Sequence, residues 1–159
     1  MSWIKVESST INIVLGTYSE FKYSNFLDNR LKTWKGGAVH IYGYGIMSIK
    51  FEGNKFIGNS AVYGGAVCIE NSNAVVTFNS DEFYDNEASY GGAIYKYSKS
   101  KFCLSLNNPI IAGLDKSLGG YSIVITNSSM KMNTATKNGG VLHLNYETLV
   151  IENSTFELN

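Results

Sequence analysis

Apolar residues alternate with polar ones along short stretches that recur through most of the chain. Pairs of apolar residues two positions apart occur at Ile49/Phe51, Val76/Phe78, Leu104/Leu106, Ile123/Ile125 and Leu149/Ile151. A spacing of two is the side-chain period of a β-strand. Abundant Val, Ile, Phe and Tyr favour the same interpretation, and no window offers an amphipathic helix of three turns. The sequence therefore predicts an all-β chain.

A second pattern, one Phe followed three residues later by Asn and then by a Gly-Gly pair, sets the period of a repeat. The copies are Phe26/Asn29/Gly36-Gly37, Phe56/Asn59/Gly64-Gly65, Phe83/Asn86/Gly91-Gly92, Met130/Asn133/Gly139-Gly140 and Phe156/Asn159. Ile111 precedes Gly119-Gly120 by eight residues, as Phe56 precedes Gly64, which predicts a further copy. The first three Gly-Gly pairs begin 28 and 27 residues apart, and self-similarity at such a period indicates a solenoid. Each repeat is predicted to form one coil of about three short strands, and the chain a parallel, right-handed β-helix of about five to six coils.

Each residue of the repeat has a structural role in this prediction. The Phe side chains stack into an internal ladder, and each contributes about 2 kcal/mol of burial free energy. The Asn residues tolerate a left-handed turn and can hydrogen-bond to backbone groups of the next coil, so that they form an internal ladder. The glycines allow a sharp corner and leave no Cβ in the way of the next coil. All of these positions are therefore predicted to be scaffold and not active site.

The chain divides into an irregular N-terminal segment, residues 1–20, and the repeats, residues 21–159. Within the repeats, residues 107–120 are predicted to be irregular because they include Pro109 and Gly113. Two alternatives stay open there: a coil that lacks one strand, or an inserted loop in which Gly119-Gly120 matches by coincidence. Because no polar cap is visible near Asn159, we expect further coils or another subunit to cover the open ends.

Composition argues against some classes of function. The 159 residues carry 13 basic and 13 acidic side chains, so the formal net charge is zero. Nucleic-acid binding needs a Lys- and Arg-rich face to neutralise phosphates, which this balance does not favour. No apolar run approaches 18 residues, so no membrane-spanning segment is predicted. Cys68 and Cys103 fall at different positions of the repeat and are predicted to be free thiols.

The linked motifs resemble the repeat of chlamydial polymorphic outer-membrane proteins, and similar repeats occur in adhesin-like surface proteins of methanogenic archaea and parasitic protists. The matching residues are GGAV at 36–39 and 64–67, GGAI at 91–94, and FLDN, FIGN, FYDN and FELN beginning at 26, 56, 83 and 156. The resemblance covers residues 21–159. It implies a non-enzymatic β-helical scaffold, displayed extracellularly or on a cell surface, that mediates adhesion to a protein or a glycan.

Tyrosines concentrate in the most regular repeats and supply the candidate binding residues. Tyr63 and Tyr90 occupy the same position, directly before Gly-Gly, and are predicted to stack into an exposed aromatic strip of the kind that binds carbohydrate. Tyr84, Tyr95 and Trp34 are further candidates. The alternative is that the tyrosines only cover the faces of the sheets and that Trp34 folds onto its own coil.

Parallel β-helices also carry glycan hydrolases and lyases, and the acid pair Asp28 and Asp85 is the candidate for such catalysis. Both follow a ladder Phe by two residues. Two coil steps would separate them by about 9.6 Å, near the upper limit for an inverting glycosidase. No third acid or basic residue shares this position of the repeat, so the chain is predicted not to be an enzyme.

Histidine and cysteine share one position of the repeat, which raises the question of a metal site. The residues at this position are His40, Cys68, Tyr95 and His143. Several coils of about 4.8 Å each separate the two histidines, which is too far for a shared ion. The sequence therefore predicts neither a metal site nor a cofactor.

Two N-glycosylation sequons fall at matching positions of successive repeats. They are Asn127-Ser-Ser and Asn153-Ser-Thr, each three residues before a ladder position. In a protein secreted by a eukaryote both would carry sugar on one face, which an intact-mass measurement on native material tests.

Overall fold

The structure, a computed structural model, describes residues 2–4, 11–13, 18–31, 35–42, 47–70, 74–97, 123–145 and 149–159. The named secondary-structure elements in these ranges are all β-strands, and every strand pair is parallel. The prediction of an all-β chain is therefore confirmed. Within the same ranges, no helix is long and apolar enough to cross a membrane.

The strands of the described residues fall into groups that follow one another along the chain, and we call each group a rung. The first rung contains β1 (Ser2–Ile4) and β2 (Ile11–Ile13), and the second contains β3 (Tyr18–Lys22), β4 (Ser24–Leu27) and β5 (Val39–Ile41). The third contains β6 (Met47–Glu52), β7 (Lys55–Ile57), β8 (Ser60–Tyr63) and β9 (Val67–Ile69). The fourth contains β10 (Ala74–Asn79), β11 (Glu82–Tyr84), β12 (Glu87–Tyr90) and β13 (Ile94–Tyr97). The fifth contains β14 (Ile123–Thr126), β15 (Ser129–Lys131), β16 (Thr134–Asn138) and β17 (Leu142–Asn145), and the sixth contains β18 (Leu149–Glu152) and β19 (Thr155–Glu157).

Each sheet takes one strand from each of several successive rungs. The order is β1-β4-β7-β11-β15-β19 in the first sheet, β3-β6-β10-β14-β18 in the second, β8-β12-β16 in the third and β2-β5-β9-β13-β17 in the fourth. The register of the first sheet pairs equivalent positions of the repeat, which from rung two to rung six are Phe26, Phe56, Phe83, Met130 and Phe156. Aligning the sequence repeats therefore predicts the correct register of the strands in the first sheet.

The fourth and fifth rungs are direct neighbours. Every strand of the fourth rung pairs with its counterpart in the fifth, although residues 98–122 separate them in sequence. The further copy predicted at Ile111 and Gly119-Gly120 lies outside the described residues, and the pairing of Phe83 with Met130 leaves no position between them. The first sheet, as far as the structure describes it, therefore lacks the predicted ladder position between Phe83 and Met130. The predicted irregularity of residues 107–120, which also lie outside the described ranges, stays a prediction.

Two aromatic stacks fill the interior. The predicted ladder places the rings of Phe26, Phe56 and Phe83 at successive centroid separations of 4.6 Å. A second stack on the second sheet, which the sequence did not predict, consists of Phe21, Phe51 and Phe78. Rings of the two stacks meet edge to face, as Phe51 and Phe56 do at 5.6 Å between centroids. The core is therefore built from the aromatic stacks of the first and second sheets together with aliphatic side chains of the fourth sheet.

A ladder of side-chain amides runs beside the Phe ladder, as predicted. Its members are Asn29, Asn59, Asn86, Asn133 and Asn159. The amide nitrogen of each residue donates to the side-chain oxygen of the next at 2.8 to 3.0 Å. From Asn59 onward, the same nitrogen also donates to the carbonyl of the ladder residue one rung earlier. These bonds tie each rung to both of its neighbours.

Left-handed backbone angles mark the corners of each rung, but the ladder Asn residues do not adopt them. One corner precedes the Asn ladder and consists of Asp28, Gly58, Asp85, Met132 and Leu158. A second follows the second sheet and consists of Tyr23, Gly53, Ser80, Asn127 and Asn153. The ladder does not use the left-handed conformation that Asn tolerates, because the chain turns one residue earlier so that the amide can point inward. Both sequon asparagines are exposed at one corner, whereas their glycosylation stays a prediction.

The two glycines of each pair have different roles. The first, such as Gly64 with φ of 65°, supplies the left-handed angle of a third corner. The second leaves room for the next rung, since a Cβ on Gly65 would overlap the carbonyl oxygen of Gly92. Both predicted properties of the Gly-Gly pair are therefore confirmed, one for each glycine.

A second polar ladder, which the sequence did not predict, runs between the first and second sheets. Its members are Ser24, Asn54, Asp81, Ser128 and Ser154. The backbone N–H of each member donates to the side-chain oxygen of the next at 2.7 to 3.1 Å. Any short side chain with an acceptor oxygen fulfils this role, which is why the residue type varies.

Asp81 is the one acid among the members of this ladder and is only 2% exposed. Its carboxylate accepts hydrogen bonds from the backbone and side chain of Asn54 and from the backbone of Asn79. Burial raises the pKa of Asp81 to about 7, against the opposing effect of these bonds, and the Glu52 carboxylate adds to the increase. The folded chain therefore binds a proton at Asp81 where the unfolded chain, with an ordinary Asp pKa near 4, has lost it.

We expect the free energy of unfolding to fall as the pH rises from about 4 to about 7, because the unfolded state binds fewer protons than the folded state in this window. The loss due to Asp81 is on the order of 2 to 4 kcal/mol. Urea unfolding at several pH values measures it, and Asp81→Asn, which cannot ionise, should remove this component. Parallel pH profiles for the two proteins would show that Asp81 does not titrate in the window.

Candidate functional site

Aromatic side chains meet at the junction of the third and fourth sheets. Tyr63, at the end of β8, pairs in register with Tyr90, at the end of β12. The column continues to Lys35 on one side and to Asn138 on the other. Because parallel strands in register place equivalent side chains over one another, the predicted shared position of the two tyrosines is confirmed.

A second column runs beside the first, on the fourth sheet. Its members, each paired in register with the next, are His40, Cys68, Tyr95 and His143. Tyr90 and Tyr95 lie on opposite sides of the Gly91-Gly92 corner. The glycine corner therefore brings the two columns side by side.

The rings of Tyr63, Tyr90, Tyr95 and His143 form one contact cluster, which we call the aromatic corner. Tyr63 stacks on Tyr90 with centroids 5.2 Å apart and 7° between the ring planes. Tyr95 stacks on His143 at 5.2 Å and 15°. The columns also touch, with centroids 5.0 Å apart for Tyr63 and Tyr95 and 5.7 Å for Tyr90 and His143. Since such pairs contribute about 0.5 to 1.5 kcal/mol each, the cluster is preorganised by its own contacts.

The side chains of the aromatic corner are half-buried. Each ring has a face against another ring, and the Lys137 ammonium lies 5.1 Å from the centroid of Tyr90 in a cation–π contact. Burial raises the pKa of Tyr95 to about 12, so its hydroxyl stays protonated at neutral pH. The predicted stack of Tyr63 and Tyr90 is present, but the predicted exposure of the strip is not, because stacking uses the ring faces.

A polar cluster adjoins the aromatic corner on the second and third rungs. Glu70, directly after β9, accepts a hydrogen bond from Lys35 Nζ on Oε1 at 2.6 Å, and its Oε2 lies 2.8 Å from His40 Nε2. Burial lowers the pKa of His40 despite the opposing effect of Glu70, so the imidazole is neutral at pH 7. Burial alone would raise the pKa of Glu70, but the bonds from Lys35 and His40 outweigh it and the pKa lies below its ordinary value. The cluster therefore combines a carboxylate, a neutral imidazole and an ammonium beside the buried Cys68.

Tyr84, a further predicted binding residue, does not join the aromatic corner. Tyr84 belongs to the first sheet, in register between Ile57 and Lys131. Trp34 lies outside the described residues. Of the five predicted binding residues, the structure thus brings together Tyr63, Tyr90 and Tyr95.

The acid pair of the enzyme alternative occupies one exposed corner. Asp28 and Asp85 both have left-handed angles, and Gly58 lies on the rung between them. Asp28 forms an exposed ion pair with Arg30 at 3.6 Å. The separation by two rung steps is therefore as predicted, whereas the absence of catalysis stays a prediction.

No protein-family model, curated protein or solved structure significantly matches the chain. The motifs that resemble the chlamydial repeat form the Phe ladder, the Asn ladder and the glycine corners of this structure. These are scaffold positions. A functional interpretation therefore depends on the side chains outside the motifs, which means the aromatic corner and the polar cluster.

Sequence reasoning missed Lys35, Glu70 and Lys137 as members of the site. Glu70 follows β9, where alignment of the repeats no longer specifies a register. One signal was available: His40 and Cys68 share a repeat position on adjacent rungs, which predicts backbones about 4.8 Å apart. The distance between His40 and His143 says nothing about a site that His40 forms with the residue of the adjacent rung.

Proposed function

We propose that the chain is part of a parallel β-helix solenoid that serves on a cell surface or outside the cell as a non-enzymatic adhesin or scaffold. Four parallel sheets that take one strand from each of successive rungs support the solenoid. The linked Gly-Gly-Ala and Phe-x-x-Asn motifs support surface display, through the resemblance stated above. The contact site of this scaffold is the aromatic corner.

Aromatic rings contact one another at this corner, whereas the first two sheets carry ion pairs and tyrosines such as Tyr18 and Tyr84 that belong to no such cluster among the described residues, and this contrast carries the proposal. The pairs between rungs are Lys22–Glu52, Lys50–Glu20, Lys55–Glu82 and Lys131–Glu157. Exposed ion pairs of this kind add little stability but favour solubility. Tyrosine, by contrast, is enriched at the centres of binding interfaces.

A protein partner fits the aromatic corner better than a glycan. Sugars bind aromatic platforms through open ring faces, and here Tyr63, Tyr90, Tyr95 and His143 use faces against one another. The half-buried tyrosines instead offer apolar surface together with hydrogen-bonding groups, next to the cation of Lys137. This is the mixture that protein hot spots use.

Replacing Tyr63 and Tyr90 together with alanine is expected to weaken binding to intact cells at least about tenfold, since hot-spot truncation costs about 2 kcal/mol or more. Labelled protein would be measured by flow cytometry on several cell types, before and after protease treatment of the cells, and on a glycan array. Tyr84→Ala is the matched control, because it removes a tyrosine from a different sheet.

Binding that disappears when the cells are treated with protease supports a protein partner. Array binding that requires Tyr63 and Tyr90 would identify a glycan instead. Binding that survives the double substitution, or falls equally with Tyr84→Ala, would remove the aromatic corner from the proposal. Cleavage of array glycans that requires Asp28 and Asp85 would show an enzyme.

The face beyond β18 and β19 supports a second kind of partner. Ile151, Phe156 and Leu158 are 42, 40 and 78% exposed there, next to strands that pair on one side only. Contiguous apolar side chains and open strand edges favour continuation of the sheets. Further rungs of the same polypeptide or a neighbouring subunit would provide it, and a scattering mass that rises with concentration would identify the subunit.

A further inference from the structure

We propose that His40, Cys68 and Glu70 form a binding site for Zn²⁺ on the outer side of the fourth sheet. His40 and Cys68 are register partners on β5 and β9, and Glu70 lies two residues after Cys68. An imidazole, a thiolate and a carboxylate are a ligand set that zinc prefers among the common divalent cations.

The ligand atoms of the three side chains already converge. A ring nitrogen of His40, Sγ of Cys68 and a carboxylate oxygen of Glu70 lie within 4.8 Å of one another. Zinc–ligand bonds of about 2.0 to 2.3 Å place the ligand atoms of a tetrahedral site about 3.3 to 3.8 Å apart. The widest of these separations must therefore shorten by about 1 Å, and the 2.8 Å between His40 Nε2 and Glu70 Oε2 must lengthen to about 3.3 Å. Side-chain rotation can supply both changes.

Burial suits a site with three protein ligands and one open position. Cys68 is fully buried, so its sulfur is shielded, whereas His40 and Glu70 are half-buried and border the solvent. Solvent can therefore reach the fourth position of the ion.

Binding exchanges protons in a defined way. The neutral His40 gives up the Nε2 proton that faces Glu70 Oε2 and takes one at Nδ1, so that Nε2 can bind the ion. The thiol of Cys68, whose pKa burial raises, loses its proton to become the thiolate ligand. One proton is thus released to solvent for each ion bound.

Lys35 modulates the site from outside the ligand set. Its ammonium bonds to Glu70 Oε1, which leaves Oε2 free for the ion. An outer hydrogen bond of this kind orients a ligating carboxylate. The ammonium also repels a divalent cation, so the orienting bond and the charge of Lys35 act on zinc affinity in opposite directions.

Cobalt(II) is the probe of choice, because a cobalt–thiolate bond absorbs in the near ultraviolet. Titration of the full chain under reducing, oxygen-free conditions is expected to give a charge-transfer band that saturates at one ion per chain and that Zn²⁺ abolishes. Cys68→Ser should abolish the band, and Glu70→Gln should weaken binding at least about tenfold. Cys103→Ser is the matched control and should retain the band.

The absence of a thiolate band in the natural protein would overturn the proposal, as would a band that depends on Cys103 and not on Cys68. Should Cys68→Ser fail to fold, His40→Ala and Glu70→Gln replace it, since both side chains are half-buried. Unchanged cobalt affinity in these two folded variants would also overturn the site.

Discussion

Replacing Gly65 with alanine is expected to lower the free energy of unfolding by at least about 3 kcal/mol, a large part of the total stability of an ordinary domain. The new Cβ would overlap the Gly92 carbonyl oxygen and lie 2.8 Å from the backbone nitrogen and oxygen of Glu87. These are backbone atoms of the next rung, which strand pairing on both sides keeps in place. Urea unfolding followed by circular dichroism measures the loss.

Gly140→Ala is the matched control, because Gly140 is the second glycine of the pair in the fifth rung. Its Cβ would come no closer than 3.2 Å to the nearest non-neighbouring residue, Asn159. We expect a loss below about 1 kcal/mol there. Equal decreases in the free energy of unfolding for the two variants would contradict this explanation. The second glycine would then be required for its backbone conformation and not for the close approach of the next rung.

The Phe and Asn ladders could be predicted from sequence because parallel strands in register place equivalent repeat positions in contact. Phe26, Phe56 and Phe83 have the same neighbours in every rung, so selection for packing leaves the same residue at each position. The repeat therefore specifies both the period and the register. The alternation of apolar and polar residues with a period of two predicts the short strands, and with them the all-β class.

The second polar ladder was missed because its physical requirement is looser. Ser24, Asn54, Asp81 and Ser128 share only an acceptor atom at the right distance from a backbone N–H. Three residue types fulfil this role, so no repeated letter reveals it. A matching spacing is not enough to predict a ladder position when the residue type differs from the repeat. Ile111 precedes a glycine pair by eight residues, but Phe83 pairs directly with Met130 in the ladder.

Lys96 shows where a residue contradicts the pattern around it. Its column on the fourth sheet contains Ile41, Ile69 and Leu144, yet Lys96 is fully buried and its ammonium donates to the carbonyl of Ala74 at 2.7 Å. Because lysine is rarely buried in proteins, its presence in the sequence predicts a solvent-exposed position. Only the strand register shows that it points inward.

The candidate site was predictable to the extent that strand register determines it. Tyr63 and Tyr90 share a corner because they share a repeat position, and the same holds for His40 and Cys68. Glu70 and Lys35 reach the site through side-chain conformations beyond the strands, which a repeat alignment does not specify. The sequence therefore indicated the columns of the site but not the contacts between them.

Asn59 shows how strongly the amide ladder connects successive rungs. Its side-chain nitrogen donates to the Phe26 carbonyl and to Asn86 Oδ1, both at 2.9 Å. Its side-chain oxygen accepts from the backbone and side chain of Asn29 at 3.1 and 2.8 Å. Asn59 is fully buried, so water cannot replace these four bonds.

Asn59→Leu, which keeps the size and shape of the side chain, is expected to lower the free energy of unfolding by at least about 3 kcal/mol, since each buried polar group that loses a partner costs about 1 to 3 kcal/mol. Urea unfolding measures the loss against Asn159→Leu as control. Asn159 makes the corresponding bonds to Asn133 and to the Met130 carbonyl but is exposed, so water can replace it and the loss should stay below about 1 kcal/mol. Comparable losses would show that burial does not set the strength of the ladder. A small loss at Asn59 would show that strand pairing and the aromatic stacks hold the rungs together without the amide ladder.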